Sequence, residues 1–287
     1  MSGYVDIGIY ILMGAVSFVF LGSVCENVEP IIALFIMSGV AILVFNLLTI
    51  RQLKHTYTIC WQNKLAFIIM SGSLGIDWVC QIYAMHISDP FVASAATFIA
   101  LAILGFIKLF MMQRRVRSLF SIALLVASLF ILYFTYQLNV SKSLGGGIIL
   151  GILTGITFFI YIVSSNKLIQ LGNLSSLQLV STRFIMLFVG VGFFVPMKSL
   201  FAISTHDLIA LVLISFASLI IPIYFNQQAI KKLGVALSSI FASLMPPVTY
   251  LFYAIYNQSF ISSNVIVCGI ITASLILPKL VSLISKE

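Results

Sequence analysis

Runs of about twenty apolar residues make up most of this chain, each long enough to cross a bilayer's hydrocarbon core as a helix. They fall at 5–24, 30–50, 65–86, 90–112, 118–137, 145–167, 175–196, 206–229, 234–256 and 261–281. The breaks between them are short, such as "ENVEP", "SDP", "QRRVRS", "PMKS" and "KKLG", so no soluble domain is expected. Hydrophobic residues are 61% of the chain and charged residues 8%. A soluble domain carries about 25% charged residues, and its surface cannot be built from what is left here. Membrane β-barrels need strands that alternate apolar and polar residues over about ten positions, and these runs do not alternate. The expected fold is therefore an all-α integral membrane protein with ten transmembrane helices.

The net charge of +8 could suggest nucleic acid. In a membrane chain it reports loop topology instead, and no nucleic-acid partner is expected. With the N-terminus cytoplasmic, Arg51, Lys54, Lys64, Arg114, Arg115, Arg117, Lys167, Lys231, Lys232, Lys279 and Lys286 lie at inner loops or ends, against Lys142 and Lys198 outside. That asymmetry predicts both termini in the cytoplasm. Lys108 is close enough to the inner end of its helix to snorkel. The start, "MSGYVDIGIY", lacks the basic region of a secretory signal, so the first run is expected to be retained. Cys25, Cys60, Cys80 and Cys268 show no paired or metal-ligand spacing and read as small apolar packers.

Shifting the sequence by 145 positions lays runs one to five on runs six to ten, with "SDPFVAS" against "LGVALSS". Five spans is an odd number, so the second copy enters the membrane from the opposite side. The expected organisation is two inverted five-helix repeats, 1–140 (spans 1–5) and 145–287 (spans 6–10). In such designs the substrate site lies near the midplane between the halves.

Asp77, in "SLGIDWVCQIY", is the one acid at depth, ~18 Å along its helix at 1.5 Å per residue. Asp6, Glu26, Glu29, Asp89, Asp207 and Glu287 fall at ends or loops. An intramembrane acid normally faces a cavity or a partner. Ser73, Asp77 and Gln81 share one helix face at i, i+4, i+8, and the shift places Ser218, Pro222 and Asn226 on the matching face of span eight. The two stripes read either as facing walls of one aqueous path or as structural hydrogen bonds between helices. Arg183, the one deep cation, is either a structural lock on carbonyls or Asp77, or a carboxylate-binding group. Tyr224 and Gln228 share a face and read as pocket residues or interfacial anchors. Pro246 and Pro247 remove two backbone donors in span nine and predict a kink, for gating or for packing alone. Gly151 and Gly155 form a small-xxx-small patch suited to close packing.

Catalytic alternatives find little support. No second buried acid could form a dyad, and His55, His86 and His206 make no metal-spaced cluster. "GIDW" and "GGG" lack a phosphate-loop context. No catalytic residue, metal or cofactor is expected.

The last third carries a resemblance. "YFNQQAIKKLGVALSSIFASLMPPVTYLFYAIY" followed by "VIVCGIITASLIL" resembles the drug/metabolite transporter superfamily, specifically its EamA-type permeases. Arg183 sits where such proteins carry an Arg early in the second helix of a half. The equivalent position in the first half is Ser38, and "NQSF" stands where a Gly-Glu pair is common. The resemblance implies alternating-access movement of small polar metabolites. The leading expectation is a secondary transporter in a bacterial inner membrane, moving an amino acid or derivative, with export favoured. Asp77 would bind the amine or a coupling proton, Ser73, Trp78, Gln81, Arg183, Tyr224, Asn226 and Gln228 would line the path, and Pro222, Pro246 and Pro247 would bend. A second reading is uptake of a cationic amine such as choline, with Asp77 as counter-charge and Trp78 as a cation–π surface. A third, from another class, is a non-transporting subunit or lipid-handling enzyme, with span nine unkinked and no solvated path at Asp77. The expected partners are a small-molecule solute, membrane lipid and a coupling proton, with a homodimer left open.

Overall fold

The computed structural model describes residues 2–24, 27–113, 117–137, 144–256, 258 and 260–284. Cys25, Glu26, Arg114, Arg115, Lys142, Lys286 and Glu287, weighed above, lie outside them, as do the side chains of Arg117 and Lys279.

Every described element is helical. The first half contains α1 (Gly3–Val24), α2 (Pro30–Leu48), α3 (Leu53–Gln62), α4 (Lys64–Ile87), α5 (Pro90–Gln113) and α6 (Arg117–Gln137). The second contains α7 (Leu144–Gly172), α8 (Ser176–Arg183), α9 (Ile185–Gly192), α10 (Met197–Phe201), α11 (Thr205–Ser215), α12 (Ile221–Leu233), α13 (Val235–Ala242), α14 (Met245–Tyr256) and α15 (Ser262–Ile284). Seven helical stretches are long and apolar enough to cross a membrane: Gly3–Val24, Pro30–Leu48, Lys64–Ile87, Pro90–Met112, Gly145–Gly172, Thr205–Leu233 and Val235–Tyr256. Three shorter apolar helices, Ser118–Phe134, Ser176–Gly192 and Ser262–Leu275, accompany them. This is a helical, multi-pass membrane chain.

Helix starts follow local chemistry. Pro30 opens α2, where its missing N–H costs nothing. The Asp89 carboxylate accepts from the Val92 N–H at 2.8 Å where α5 begins. Ser175 and Gln178 form a reciprocal capping box on α8, and the Ser204 hydroxyl caps α11 by accepting from the Asp207 N–H. Gly234, at φ +80°, ends α12 in a conformation that L side chains rarely adopt, so α13 can start at once.

Two features depart from the sequence-based expectation, and two breaks fall where prolines were expected to bend the chain. The segment 51–64, expected as a loop, contains α3; Thr56 and Cys60, four residues apart, are its buried face, and it lacks the apolar run that marks a span. Span seven breaks at Phe184, directly after Arg183. Span eight carries a π-helical turn at Phe216–Ile220, where the Ile221 N–H donates to the Phe216 carbonyl. Pro222 explains it: with no N–H to offer the Ser218 carbonyl, the helix widens by one residue. Span nine stops at Ala242 and resumes at Met245, because Pro246 and Pro247 cannot donate to the carbonyls one turn back. The Ser243 hydroxyl turns instead to the Ile240 carbonyl at 2.6 Å.

The stretches 1–140 and 145–287 interlock. α4 and α5 both pack along α7, α1 lies against α12 and α14, α2 against α9, and α6 against α15. The glycine patch is a close-packing surface. A Cβ at Gly151 would stand 2.6 Å from the Ala96 Cβ, and one at Gly155 would collide with the Thr97 carbonyl and Ala100. Since backbone lies opposite, Gly155→Val should prise α7 from α5, an overpacking cost of about 1–3 kcal/mol. A fall in thermal midpoint in neutral detergent checks it, with Gly145→Val, where nothing lies within 4 Å, as the control.

At one end of the bundle the start of α1 is pinned to the end of α12. Asp6, expected as a terminal acid, is almost fully buried, and the Lys232 ammonium donates to its carboxylate at 2.6 Å. Tyr4 meets the Phe241 ring edge-on at 5.5 Å beside it.

Candidate functional site

A cavity lies among the middles of the helices, lined by α1 (Tyr10, Gly14, Ser17, Phe18), α4 (Asp77, Trp78, Gln81), α5 (Thr97, Phe98), α7 (Thr154, Phe158), the π turn (Ser218), α12 (Ile223) and α14 (Met245). Both halves contribute to its wall. Its volume is about 40 Å³, room for roughly three waters. A bound metabolite needs several hundred Å³, so this conformation is closed around its polar groups.

Asp77 is 7% exposed, and that exposure is to the cavity. Among the described residues its carboxylate makes no hydrogen bond and no ion pair. Gln81, one turn along, accepts from the Thr97 hydroxyl at 2.6 Å and leaves its Nε2 group buried without a partner. Trp78 presents its ring to the same space. The sequence stripe is thus split: Asp77 and Gln81 face the cavity, whereas Ser73 is buried outside its lining and donates to the Met70 carbonyl at 3.1 Å.

Arg183 is 1% exposed and is the largest fully buried side chain among the described residues. It donates through Nη1 to the Tyr161 hydroxyl, and that hydroxyl donates to Gln227 Oε1 at 2.7 Å. Its guanidinium carbon lies 5.2 Å from the Tyr161 ring centroid and 4.8 Å from that of Phe184, within cation–π range. Tyr161 in turn lies parallel to Phe158, a cavity residue, with ring centroids 5.7 Å apart. Arg183 and Asp77 do not touch, yet Asp77 and Tyr10 are both within electrostatic reach of the guanidinium. Nε and Nη2 of Arg183 remain buried and unpaired. A cation with two free donors therefore stands just behind the wall of a cavity that holds a free carboxylate.

The polar run of span eight divides between two faces. Gln227 reaches inward to Tyr161, and Asn226 is buried with its Nδ2 group unpaired. Gln228 donates to the Tyr224 hydroxyl at 3.1 Å, half-buried and outside the cavity lining. Pro222 is buried beside Ser218 and Ile223, while Pro246 is buried and Pro247 half-buried at the start of α14. Sequence reasoning missed Tyr10, Thr97, Tyr161 and Phe158. Tyr10 and Tyr161 carried a usable signal, because a phenol in the middle of an apolar span must find a partner for its hydroxyl.

No family model and no curated protein matches the sequence. Among solved structures, one titled "Crystal structure of protein" superposes with a TM-score of 0.70 over 99% of both chains, at 13% sequence identity. That likeness shows a shared fold across the whole chain.

Proposed function

We propose that this chain is a secondary transporter that moves a small polar metabolite by alternating access. It would span the membrane ten times as two inverted five-helix repeats, with both termini in the cytoplasm of a bacterial cell. The observation that carries the reading is the closed cavity built by both halves, with an unpartnered carboxylate facing into it and a buried guanidinium behind its wall. Such groups are costly in a membrane and persist where they meet a solute or an ion.

Several features support the repeat. Pro90 and Val235 each begin a helix 145 positions apart, as do Arg117 and Ser262. Exchanging each span with its counterpart five along preserves the main packing pairs. The pairing of α4 with α7 becomes that of α12 with α1, α5 with α7 becomes α14 with α1, and α6 with α15 maps on itself. The breaks in spans eight and nine border the cavity at Ser218 and Met245, as the discontinuous helices of transporters border their sites. The resemblance to EamA-type permeases is in keeping with this organisation, and it favours an amino acid or derivative, exported.

The second reading, uptake of a cationic amine, draws support from the lining: Tyr10, Phe18, Trp78, Phe98 and Phe158 line the same cavity as Asp77, a setting suited to a cation. The non-transporting reading expected an unkinked span nine and no path at Asp77. The break at Ser243–Leu244 and the cavity both weigh against it. Flux into proteoliposomes tests the proposal: amino acids or amines should exchange across the bilayer and compete for one site. Competition by quaternary amines alone would select the second reading. No solute moving faster than through protein-free vesicles would remove transport altogether.

A further inference from the structure

A second polar feature lies away from the cavity, on the surface where α4 begins and α7 ends. We propose that the groove between these helix ends is a binding site for an anionic phospholipid. The groove encloses about 600 Å³. Its walls are apolar, with Leu65 and Ile69 from α4 facing Ile160 and Val163 from α7. Its mouth is cationic, with Lys64 at the first position of α4 and Lys167 near the end of α7, both exposed. From Lys167 to Ile160 the wall runs ~10 Å along the helix axis, so one acyl chain can enter beneath a head group held at the lysines.

Two further observations point to a phosphate at that mouth. Asn63 does not cap α4; its side-chain amide donates to the Ile59 carbonyl at 3.1 Å instead. The first N–H groups of α4 therefore have no side-chain acceptor, a setting that suits an anion. Lys54 on α3 lies in an adjoining groove of about 620 Å³ that shares Gln62 with the first, and Trp61 beside it is 78% exposed, as an interfacial anchor is. Among the described residues no acid balances these lysines. Asp6 is taken by Lys232, and Glu29, Asp89 and Asp207 lie at the opposite ends of their spans. A basic mouth over an apolar slot is complementary to a phospholipid with a net negative head group.

The full chain, purified in neutral detergent, would be titrated with phosphatidylglycerol and with phosphatidylcholine of identical acyl chains, and bound lipid counted by native mass spectrometry. Phosphatidylglycerol should bind more tightly. Each lysine near a membrane surface contributes about fivefold, so Lys64→Gln with Lys167→Gln should weaken it roughly thirtyfold while leaving phosphatidylcholine unchanged. Because both lysines are exposed, the thermal midpoint of this variant should match wild type. Val163→Trp, which fills the slot and keeps the charges, should also release phosphatidylglycerol. Equal binding of the two lipids, or a double variant that binds as wild type does, would overturn the proposal. So would displacement by millimolar inorganic phosphate with no effect of Val163→Trp, which would mark a site for free anions. A dimer in neutral detergent that Val163→Trp breaks and phosphatidylglycerol leaves intact would assign the face to a second copy instead.

Discussion

Asp77→Asn should abolish solute-dependent flux in proteoliposomes, by roughly 10- to 100-fold, while leaving the fold as stable as before or slightly more so. The rate effect follows from losing a charged interaction that contributes about 1.5–3 kcal/mol. The stability effect follows from geometry. The carboxylate has no hydrogen bond among the described residues and is buried, so its neutral isostere breaks no hydrogen bond and relieves the burial of an acid, which offsets the lost attraction to Arg183. A structural hydrogen-bond stripe predicts the reverse, with stability falling and flux changing only as folded protein is lost. Measuring flux and thermal midpoint on the same preparation separates the two.

The second large effect belongs to Arg183. Arg183→Gln removes the bond to Tyr161 and both ring contacts from an almost fully buried site, and leaves Asp77 without the one cation near it among the described residues. Losing a charge-assisted hydrogen bond and two buried cation–π contacts in this way costs about 3–5 kcal/mol. In the Asp77→Asn background the same substitution should cost less, by about 1 kcal/mol, because no carboxylate is left uncompensated. Equal costs in the two backgrounds would mean that Arg183 is a lock on Tyr161 alone. If Arg183 instead meets the solute's carboxylate when the cavity opens, Arg183→Lys should slow amino acid flux far more than that of any cationic amine, because the bidentate fork is lost and the charge is kept.

Much of this architecture is legible in the amino-acid sequence alone. The apolar runs place the helices because a bilayer admits few alternatives, and Asp77 stands out because an acid at that depth needs a reason. The prolines of spans eight and nine mark real breaks, since the missing donor acts locally. What escapes is whatever depends on partners far apart in the chain. α3 leaves no signal because its buried face is only Thr56 and Cys60. The break after Arg183 follows no proline or glycine. Asp6 reads as a solvated terminus because its partner is Lys232, near the end of α12. Tyr224 and Gln228 share a face as expected but pair with each other outside the cavity, while Gln227, next in the chain, points elsewhere and meets Tyr161.

The central claim, that the halves rock about the cavity so that one end closes as the other opens, is tested most directly by the accessibility of two positions. Gln81 lies toward one end of α4, and Gln228 toward the opposite end of the bundle on α12. In a cysteine-free chain, Gln81→Cys and Gln228→Cys would each be labelled in proteoliposomes with a membrane-impermeant thiol reagent, with and without a transported solute that favours one state. Opposite responses are predicted, one cysteine gaining reactivity as the other loses it, and Pro247→Ala should reduce the shift if span nine bends during the change. Both cysteines labelling together, with neither responding to any solute, would contradict alternating access.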